Sequence, residues 1–291
     1  MFGFRNDGKK LKHVDPILRM TSYIMPKRYD AMVNYKGTLR CENIDQFIKE
    51  KRENENIKFT YMDIIIAGIV RMYATRPKMN RFIMNGNIYA RNKIYISFVV
   101  KKELTDDGAE TTVKLEFDGT ENIYDVKQKI EEAIAENKKN IESKNDTDKY
   151  VKSLLRIPNF ILNFVMGCLR FGDRHGMLSK KLVKLSPFHS SCFLTNMKSI
   201  SCDYVYHHLY DFGTTGLFVA MGKEHLEPVV DSVTDELAVG KVMHLGVVID
   251  ERLCDGLYNS KSIKVGMRYF QNPHLLCERL NIEDVLKDPD L

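Results

Sequence analysis

Alternating apolar and polar residues predict several short strands along the chain. Residues 32–39, 94–100 and 111–117 carry β-branched and aromatic side chains between polar ones, which is typical of strands with one buried face. Further strands are predicted at residues 88–89, 192–196, 217–221 and 242–249. The strands are numerous enough to form a sizeable sheet.

Apolar residues at helical spacing predict helices between these strands. Residues 59–75 form the clearest one, with Thr60 as N-cap and Asp63 completing a capping box. Few of its positions are polar, so it is expected to be buried on most sides and to end before Pro77. Other helices are predicted from Asn43 as N-cap, at 124–141, after Pro158, at 179–185 and after Gly256, with a loop at 142–149.

The order of these elements predicts an α/β (α+β) protein in which helices cover a mixed sheet. The chain has no hinge-like linker and no repeat with a period of roughly 20–50 residues. Residues 1–291 are therefore expected to form a single domain.

Composition and charge narrow the class of protein. The sequence is 44% hydrophobic and 29% charged, which excludes a disordered or collagen-like chain. Its formal net charge of +5 is small for 291 residues, so charge gives no reason to expect a nucleic-acid partner.

Two apolar runs bear on membrane association. Residues 62–74 and 157–171 are both shorter than the roughly 20 residues that a spanning helix needs, so no membrane span is expected. The 157–171 helix is expected to pack on the sheet or between subunits. A position in a membrane interface, beside the basic residues of 180–184, is the alternative.

The six cysteines never form a C-x-x-C pair, and with none of the eight histidines do they form a finger-like cluster, so no metal is expected. No secretory signal is visible at the N-terminus, and reduced cysteines in a cytoplasmic protein fit best. The histidines at 189, 207, 208 and 244 are interpreted as hydrogen-bonded structural side chains rather than as catalytic bases.

A cluster of charged residues follows the strand at 242–249. The sequence Asp250-Glu251-Arg252-Leu253-Cys254-Asp255-Gly256 leads directly into the last predicted helix. Charges at the end of a buried strand indicate a candidate site. The alternative is a tight turn in which Asp255 caps the helix and Arg252 neutralises its neighbours.

This stretch resembles the D-H-R-x-x-D-G signature of the catalytic domains of dihydrolipoyl acyltransferases from 2-oxo acid dehydrogenase complexes. Its C-D-G also resembles that of chloramphenicol acetyltransferases. Three other segments resemble the same family in the same order, the S-P-M-R opening at 15–19, the helix and P-x-L-N turn at 59–81, and the G-T-F-T-I-S-N strand at 190–196.

The resemblance implies the chloramphenicol acetyltransferase-like, CoA-dependent acyltransferase fold. It further implies a homotrimer, or a multiple of trimers, whose active site is a channel between subunits. Coenzyme A would be the cosubstrate, and a small molecule with a thiol, hydroxyl or amine group would accept the acyl group. Neither a lipoyl domain nor a subunit-binding domain is expected in the chain.

The resemblance also implies roles for five residues. Glu251 occupies the position of the general base, and Thr195 that of a hydroxyl which stabilises the oxyanion. Asp255 would order the loop through an ion pair with Arg19, with Arg28 as the alternative partner. Gly256 would let the strand turn into the helix.

Two departures from the family leave the activity open. The family's base is histidine, whereas an ordinary glutamate, with a pKa near 4.3, is too weak a base by about two units unless burial raises that pKa. The strand at 109–116 also lacks the glycine and proline of the family's G-L-x-x-P-V pattern. The leading hypothesis is an acyltransferase with Glu251 as base. The alternative is a catalytically silent homologue that acts as an oligomeric binding or assembly module.

Overall fold

The computed structural model describes residues 5–101, 110–143, 157–231 and 234–291. Its larger sheet has seven strands. In spatial order they are β2 (Met32–Arg40), β10 (Leu237–Asp250), β8 (Leu217–Met221), β7 (Cys192–Asn196), β5 (Ile94–Lys101) and β6 (Glu110–Phe117), and β9 (His225–Val230) pairs with the first part of β10. Strand β7 runs parallel to β5 and β8, whereas the other pairs in this sheet are antiparallel. The predicted mixed sheet is confirmed.

A second, smaller sheet has the strand order β1 (Gly8–Lys10), β4 (Asn87–Arg91) and β3 (Arg81–Met84). Both of its pairings are antiparallel. The sequence predicted only part of β4. A strand of three or four residues is too short to show a period-two pattern.

Within the described residues, seven α-helices accompany the sheets. They are α1 (Pro16–Ile24), α2 (Glu42–Glu55), α3 (Tyr61–Thr75), α4 (Ile123–Ser143), α5 (Asn159–Arg174), α6 (Lys180–Leu185) and α7 (Gly256–Gln271). The predicted capping box of α3 is present, and α3 is buried along nearly its whole length. The predicted N-cap of α2 is wrong, because Cys41 occupies that position and the Asn43 amide donates instead to the Gln271 carbonyl oxygen.

The two faces of the larger sheet are covered differently. On the helix-covered face, Met243, Leu245 and Val247 of β10 belong to a core shared with α3. On the opposite face, here called the outer face, Val248 packs with other apolar side chains under residues 202–213, here called the crossing segment. The segment lies so close that a Cβ atom at Gly246 would stand 2.1 Å from the Val205 carbonyl oxygen.

Helix α5 leaves a row of apolar side chains in solvent. Phe160 is 74% exposed and Phe164 is 73% exposed, while only Gly172 and Asp173 of this helix are buried. The expectation that the 157–171 helix packs on the sheet is therefore wrong for the single chain, because its apolar side faces outward. Among the described residues, no helix is both long and apolar enough to cross a membrane.

Candidate active site

A buried charge cluster closes the end of β10. The Asp250 carboxylate is 1% exposed and accepts hydrogen bonds from the Arg252 guanidinium at 2.8 and 2.7 Å. Arg28 Nε lies 3.5 Å from the same carboxylate, and Arg28 also donates to the carbonyl oxygens of Tyr210 and Gly213. Burial lowers the pKa of Arg28, while the charge of Asp250 acts in the opposite direction. One carboxylate thus serves two buried arginines, and these three residues are called the Asp250 cluster.

Glu251 begins the short 3₁₀ turn that joins β10 to α7. Its side chain is exposed. Within the described part of the chain it has neither a hydrogen bond nor an ion pair, because the neighbouring Arg252 is held by Asp250 and by the Met25 carbonyl oxygen. Glu251, the predicted base, therefore does not pair with Arg252, but within a single chain its side chain remains exposed to solvent.

Asp255 caps α7 by accepting a hydrogen bond from the Tyr258 backbone N–H at 2.9 Å. The side chain is exposed, and no described arginine forms an ion pair with it. The predicted pair with Arg19 is wrong, since the exposed Asp255 carboxylate caps the N-terminus of α7 instead. Arg19 is itself exposed on α1, and the alternative partner Arg28 contacts Asp250 instead.

Gly256 is the first residue of α7. It has no positive φ, and a Cβ atom built there would meet nothing within 4 Å. The expected need for glycine at this turn is therefore not found, because the backbone is ordinary and the space is open.

Thr195 lies in β7, far from Glu251 within one chain. Thr195 is half-buried. Leu194 belongs to the core on the helix-covered face, so Phe193 and Thr195 on either side of it lie on the outer face. Thr195 pairs with Ala220 of β8, and Ala220 pairs in turn with Gly246 of β10. Glu251 follows five residues later, which is about 16 Å along an extended strand. One chain does not bring the two predicted catalytic side chains together.

A cavity of about 710 Å³ lies beside the Asp250 cluster. Its charged lining residues are Arg5, Lys27, Arg28, Arg170, Arg174, Arg252, Asp173 and Asp211. Arg170 and Arg174 of α5 are exposed and have no ion pair within the described residues. A cavity with unpaired guanidinium groups suits an anionic ligand. This cavity is not predictable from the sequence because its walls come from distant segments. The i, i+4 spacing of Arg170 and Arg174 is the only local signal of it in the sequence.

A second buried network forms one wall of this cavity. Arg5 donates to Asp7 at 2.8 and 2.9 Å and to Asp173 at 3.0 Å. The His189 ring bridges Asp173 and the Ser186 hydroxyl, each at 2.8 Å. Burial lowers the pKa of His189, although the hydrogen bond and charge of Asp173 act to raise it. These contacts agree with a structural rather than a catalytic role for this histidine.

The Asp7 carboxylate should make stability depend on acid pH. Burial disfavours its charge, but the hydrogen bond and charge of Arg5, with the charge of Arg91, outweigh burial and lower its pKa to about 2. Because the pKa is lower in the folded state, this stabilisation is present above about pH 4 and is lost as the pH falls through about 2. We expect Asp7→Asn to lower the free energy of unfolding by roughly 2 kcal/mol at pH 7, and by progressively less below pH 4.

Urea unfolding at a series of pH values would measure this difference. Asp118→Asn is the matched control, because Asp118 pairs with Lys93 at the surface and exposed pairs contribute about 1 kcal/mol or less. A loss in Asp7→Asn that stayed constant down to pH 2 would contradict the assignment.

The chain is similar to known proteins in its three-dimensional structure but not detectably in its sequence. No family model matches the chain, and no curated protein matches it either. Among solved structures, the dihydrolipoamide acetyltransferase of Azotobacter vinelandii superposes with a TM-score of 0.58 at 11% identity, covering 91% of this chain and 93% of that one. Chloramphenicol acetyltransferase gives 0.53 at 11% identity, covering 90% and 99%. The cubic core of a pyruvate dehydrogenase multienzyme complex gives 0.56 at 10% identity, covering 91% and 93%.

The chain has the chloramphenicol acetyltransferase-like fold. This confirms the predicted architecture, in which helices cover one face of a mixed sheet. Within this acyltransferase fold, Glu251 occupies the turn between β10 and α7, and Thr195 lies near the end of β7.

Proposed function

We propose that the protein is a CoA-dependent acyltransferase that moves an acyl group between CoA and a thiol, hydroxyl or amine acceptor. The observation that carries the proposal is the free carboxylate of Glu251 at the end of β10. Because Asp250 holds Arg252, that carboxylate is available to a substrate.

The proposed site requires a second copy of the chain. In one copy, Glu251 lies about 16 Å along the strand direction from the register position of Thr195 and about 10 Å across the sheet from it, two strands away. The two side chains of one copy therefore cannot act together on one carbonyl group. A neighbouring copy that brought its Thr195 over Glu251 would complete the site and remove Glu251 from water. Desolvation makes a carboxylate a stronger base. The exposed phenylalanines of α5 and the assembled core named for one structural neighbour support a homotrimer or a multiple of trimers.

In the proposed mechanism, the Glu251 carboxylate takes the proton from the acceptor group as that group attacks the thioester carbonyl carbon. The Thr195 hydroxyl of the neighbouring copy donates a hydrogen bond to the oxyanion that forms. The oxyanion then collapses, the C–S bond to CoA breaks, and the departing thiolate takes the proton from Glu251. The reverse sequence loads the acyl group onto CoA.

The basic cavity is the proposed location for the phosphate groups of CoA. Its volume of about 710 Å³ falls within the range typical of ligand sites. Arg170 and Arg174 lack ion pairs within the described residues. A phosphate group could therefore bind their guanidinium groups without displacing a carboxylate of the protein.

Steady-state transfer from acetyl-CoA to a small dithiol, followed by chromatography of the released CoA, tests the proposal. We expect Arg174→Gln to raise the KM for acetyl-CoA by about 10-fold with little change in kcat, because one charge-assisted hydrogen bond is lost in both ground and transition states. Arg268→Gln, on the exposed side of α7, is the matched control and should leave KM unchanged. Equal KM values in the two variants would contradict the location of the CoA phosphates.

The alternative is a catalytically silent protein that uses this fold as a binding or assembly module. The exposure of Glu251 in the single chain favours it, because an exposed carboxylate lacks the surroundings that strengthen a base. A stable trimer that binds acetyl-CoA but transfers no acyl group to any of the three acceptor classes would establish this alternative.

A further inference from the structure

Four side chains of the types that can ligate metal ions meet on the outer face of the larger sheet, where β9 pairs with β10. His225 and Glu227 lie on β9, His244 lies on β10, and Asp203 lies on the crossing segment. One ligand atom each from Asp203, His225 and His244 falls within 4.8 Å of the other two. Glu227 Oε2 lies 3.5 Å from His225 Nε2 and 3.4 Å from His244 Nε2.

His244 is the buried centre of this group. Its side chain is only 6% exposed, and its Nε2 atom is buried without a hydrogen-bond partner. The nearby Glu227 oxygen does not satisfy hydrogen-bond geometry, and the contact of His244 Nδ1 with Asp203 Oδ2 is long at 3.3 Å. A buried nitrogen without a partner is costly, and this one faces other potential ligands.

The surroundings hold the other ligands in place. His225 Nδ1 lies 3.3 Å from the Lys223 carbonyl oxygen, and a hydrogen bond donated there leaves the lone pair on Nε2. Gly222 allows the crossing segment to approach, because a Cβ atom at Gly222 would lie 2.7 Å from Asp203 Oδ1. Tyr204 packs edge-on against the His244 ring, with the ring centroids 5.5 Å apart.

We propose that Asp203, His225 and His244, with Glu227 beside them, bind a divalent transition-metal ion of the Zn²⁺ class. Two imidazoles with carboxylates are a ligand set that suits Zn²⁺ and Co²⁺. Ligand atoms in a tetrahedral zinc site are ~3.4 Å apart, whereas the present ones lie within 4.8 Å of one another, so metal binding needs them to move closer by up to about 1.4 Å. The proposal departs from the expectation of no metal, which rested on cysteine and histidine spacing. Asp203 is 41 residues from His244 in the sequence, so spacing alone gives no sign that the two side chains meet.

The ion would join three parts of the chain that are otherwise held by strand pairing and loop contacts. It would fix the crossing segment to β9 and β10 on the outer face. His244 precedes Glu251, the first residue after β10, by seven residues, which is about 23 Å along an extended strand. Thr195, the other proposed acyl-transfer residue, lies two strands and two residues from His244 on the outer face, which is about 12 Å. The metal site therefore does not overlap the proposed acyl-transfer residues and can be tested without any assay of activity.

Titration of the metal-free protein with ZnCl₂ by calorimetry, and with CoCl₂ by visible absorption, tests the proposal. We expect one ion per chain and a Co²⁺ spectrum without the thiolate charge-transfer band that a cysteine ligand gives. His225→Gln and His244→Gln should each weaken Zn²⁺ binding by about 100-fold or more, because loss even of outer-shell partners costs 10–100-fold. His225 is partly exposed, so its variant gives a result even where His244→Gln fails to fold.

Two variants control for adventitious binding. His13→Gln removes an exposed histidine outside the cluster, and Cys202→Ser removes the exposed thiol next to Asp203. Both should retain wild-type affinity. Absence of Zn²⁺ and Co²⁺ binding by the wild-type chain, or unchanged affinity in His225→Gln, would overturn the proposal.

Discussion

Replacing Glu251 with glutamine should lower the rate of acyl transfer by at least about 100-fold, because general bases contribute roughly 10²–10⁴-fold to proton-transfer steps. The amide cannot accept the acceptor's proton. The fold should be unaffected, since the Glu251 side chain is exposed and has no partner within the described residues. The measurement is kcat/KM with acetyl-CoA, alongside urea unfolding of the same preparation.

A subunit-mixing experiment extends this test to the shared site. Thr195→Val removes the hydroxyl that the proposed mechanism uses and should also reduce transfer strongly. Because Glu251 and Thr195 would act from different copies, refolding the two variants together should restore activity at interfaces that combine two intact residues. Glu283→Gln, another exposed carboxylate, is the control. Full activity in Glu251→Gln would show that the base is assigned wrongly, and failure of the mixture to recover activity would refute the shared site.

Replacing Asp250 with asparagine should lower the free energy of unfolding by about 3–5 kcal/mol, the usual cost of removing one partner from a buried ion pair. The physical reason is that Arg28 and Arg252, both nearly inaccessible to solvent, would lose their shared carboxylate. Thermal and urea unfolding would measure the loss.

Asp255→Asn is the matched control for this effect. Asp255 is exposed and caps α7, and asparagine caps helices about as well as aspartate. Its variant should change the free energy of unfolding by about 0.5 kcal/mol or less. A loss of 1 kcal/mol or less in Asp250→Asn would contradict the structural role given to the Asp250 cluster.

The sequence predicted elements whose signals are local and strong. Helix α3 was predicted because Thr60 and Asp63 form a capping box ahead of an apolar run, and β10 because a long apolar strand precedes a charged turn. The short β1 and β3 were missed because a few residues carry no periodicity. Asn43 is predicted as the N-cap of α2 because asparagine is common at that position. The sequence does not show that the Asn43 side chain instead donates a hydrogen bond to the Gln271 carbonyl oxygen.

The site was less predictable because its contacts join distant parts of the chain. The sequence identified Asp250, Glu251 and Arg252 as a charged turn but left open which carboxylate the arginine contacts. The answer depends on Met25 and Arg28, and Met25 lies 227 residues from its partner Arg252. Asp203 and His244 are likewise brought together only by the crossing segment.

The pairing of β2 with β10 has a consequence for biosynthesis. Residues 32–40 hydrogen-bond to residues 242–250. During synthesis on the ribosome, β2 therefore has no β10 to pair with until about 200 further residues have been added. Until then, the backbone edges of β2 and β8 that β10 will cover are free to pair with other nascent chains. Such long-range pairing also slows folding. A chain arrested before residue 242 should therefore accumulate in the insoluble fraction, whereas the full chain should not.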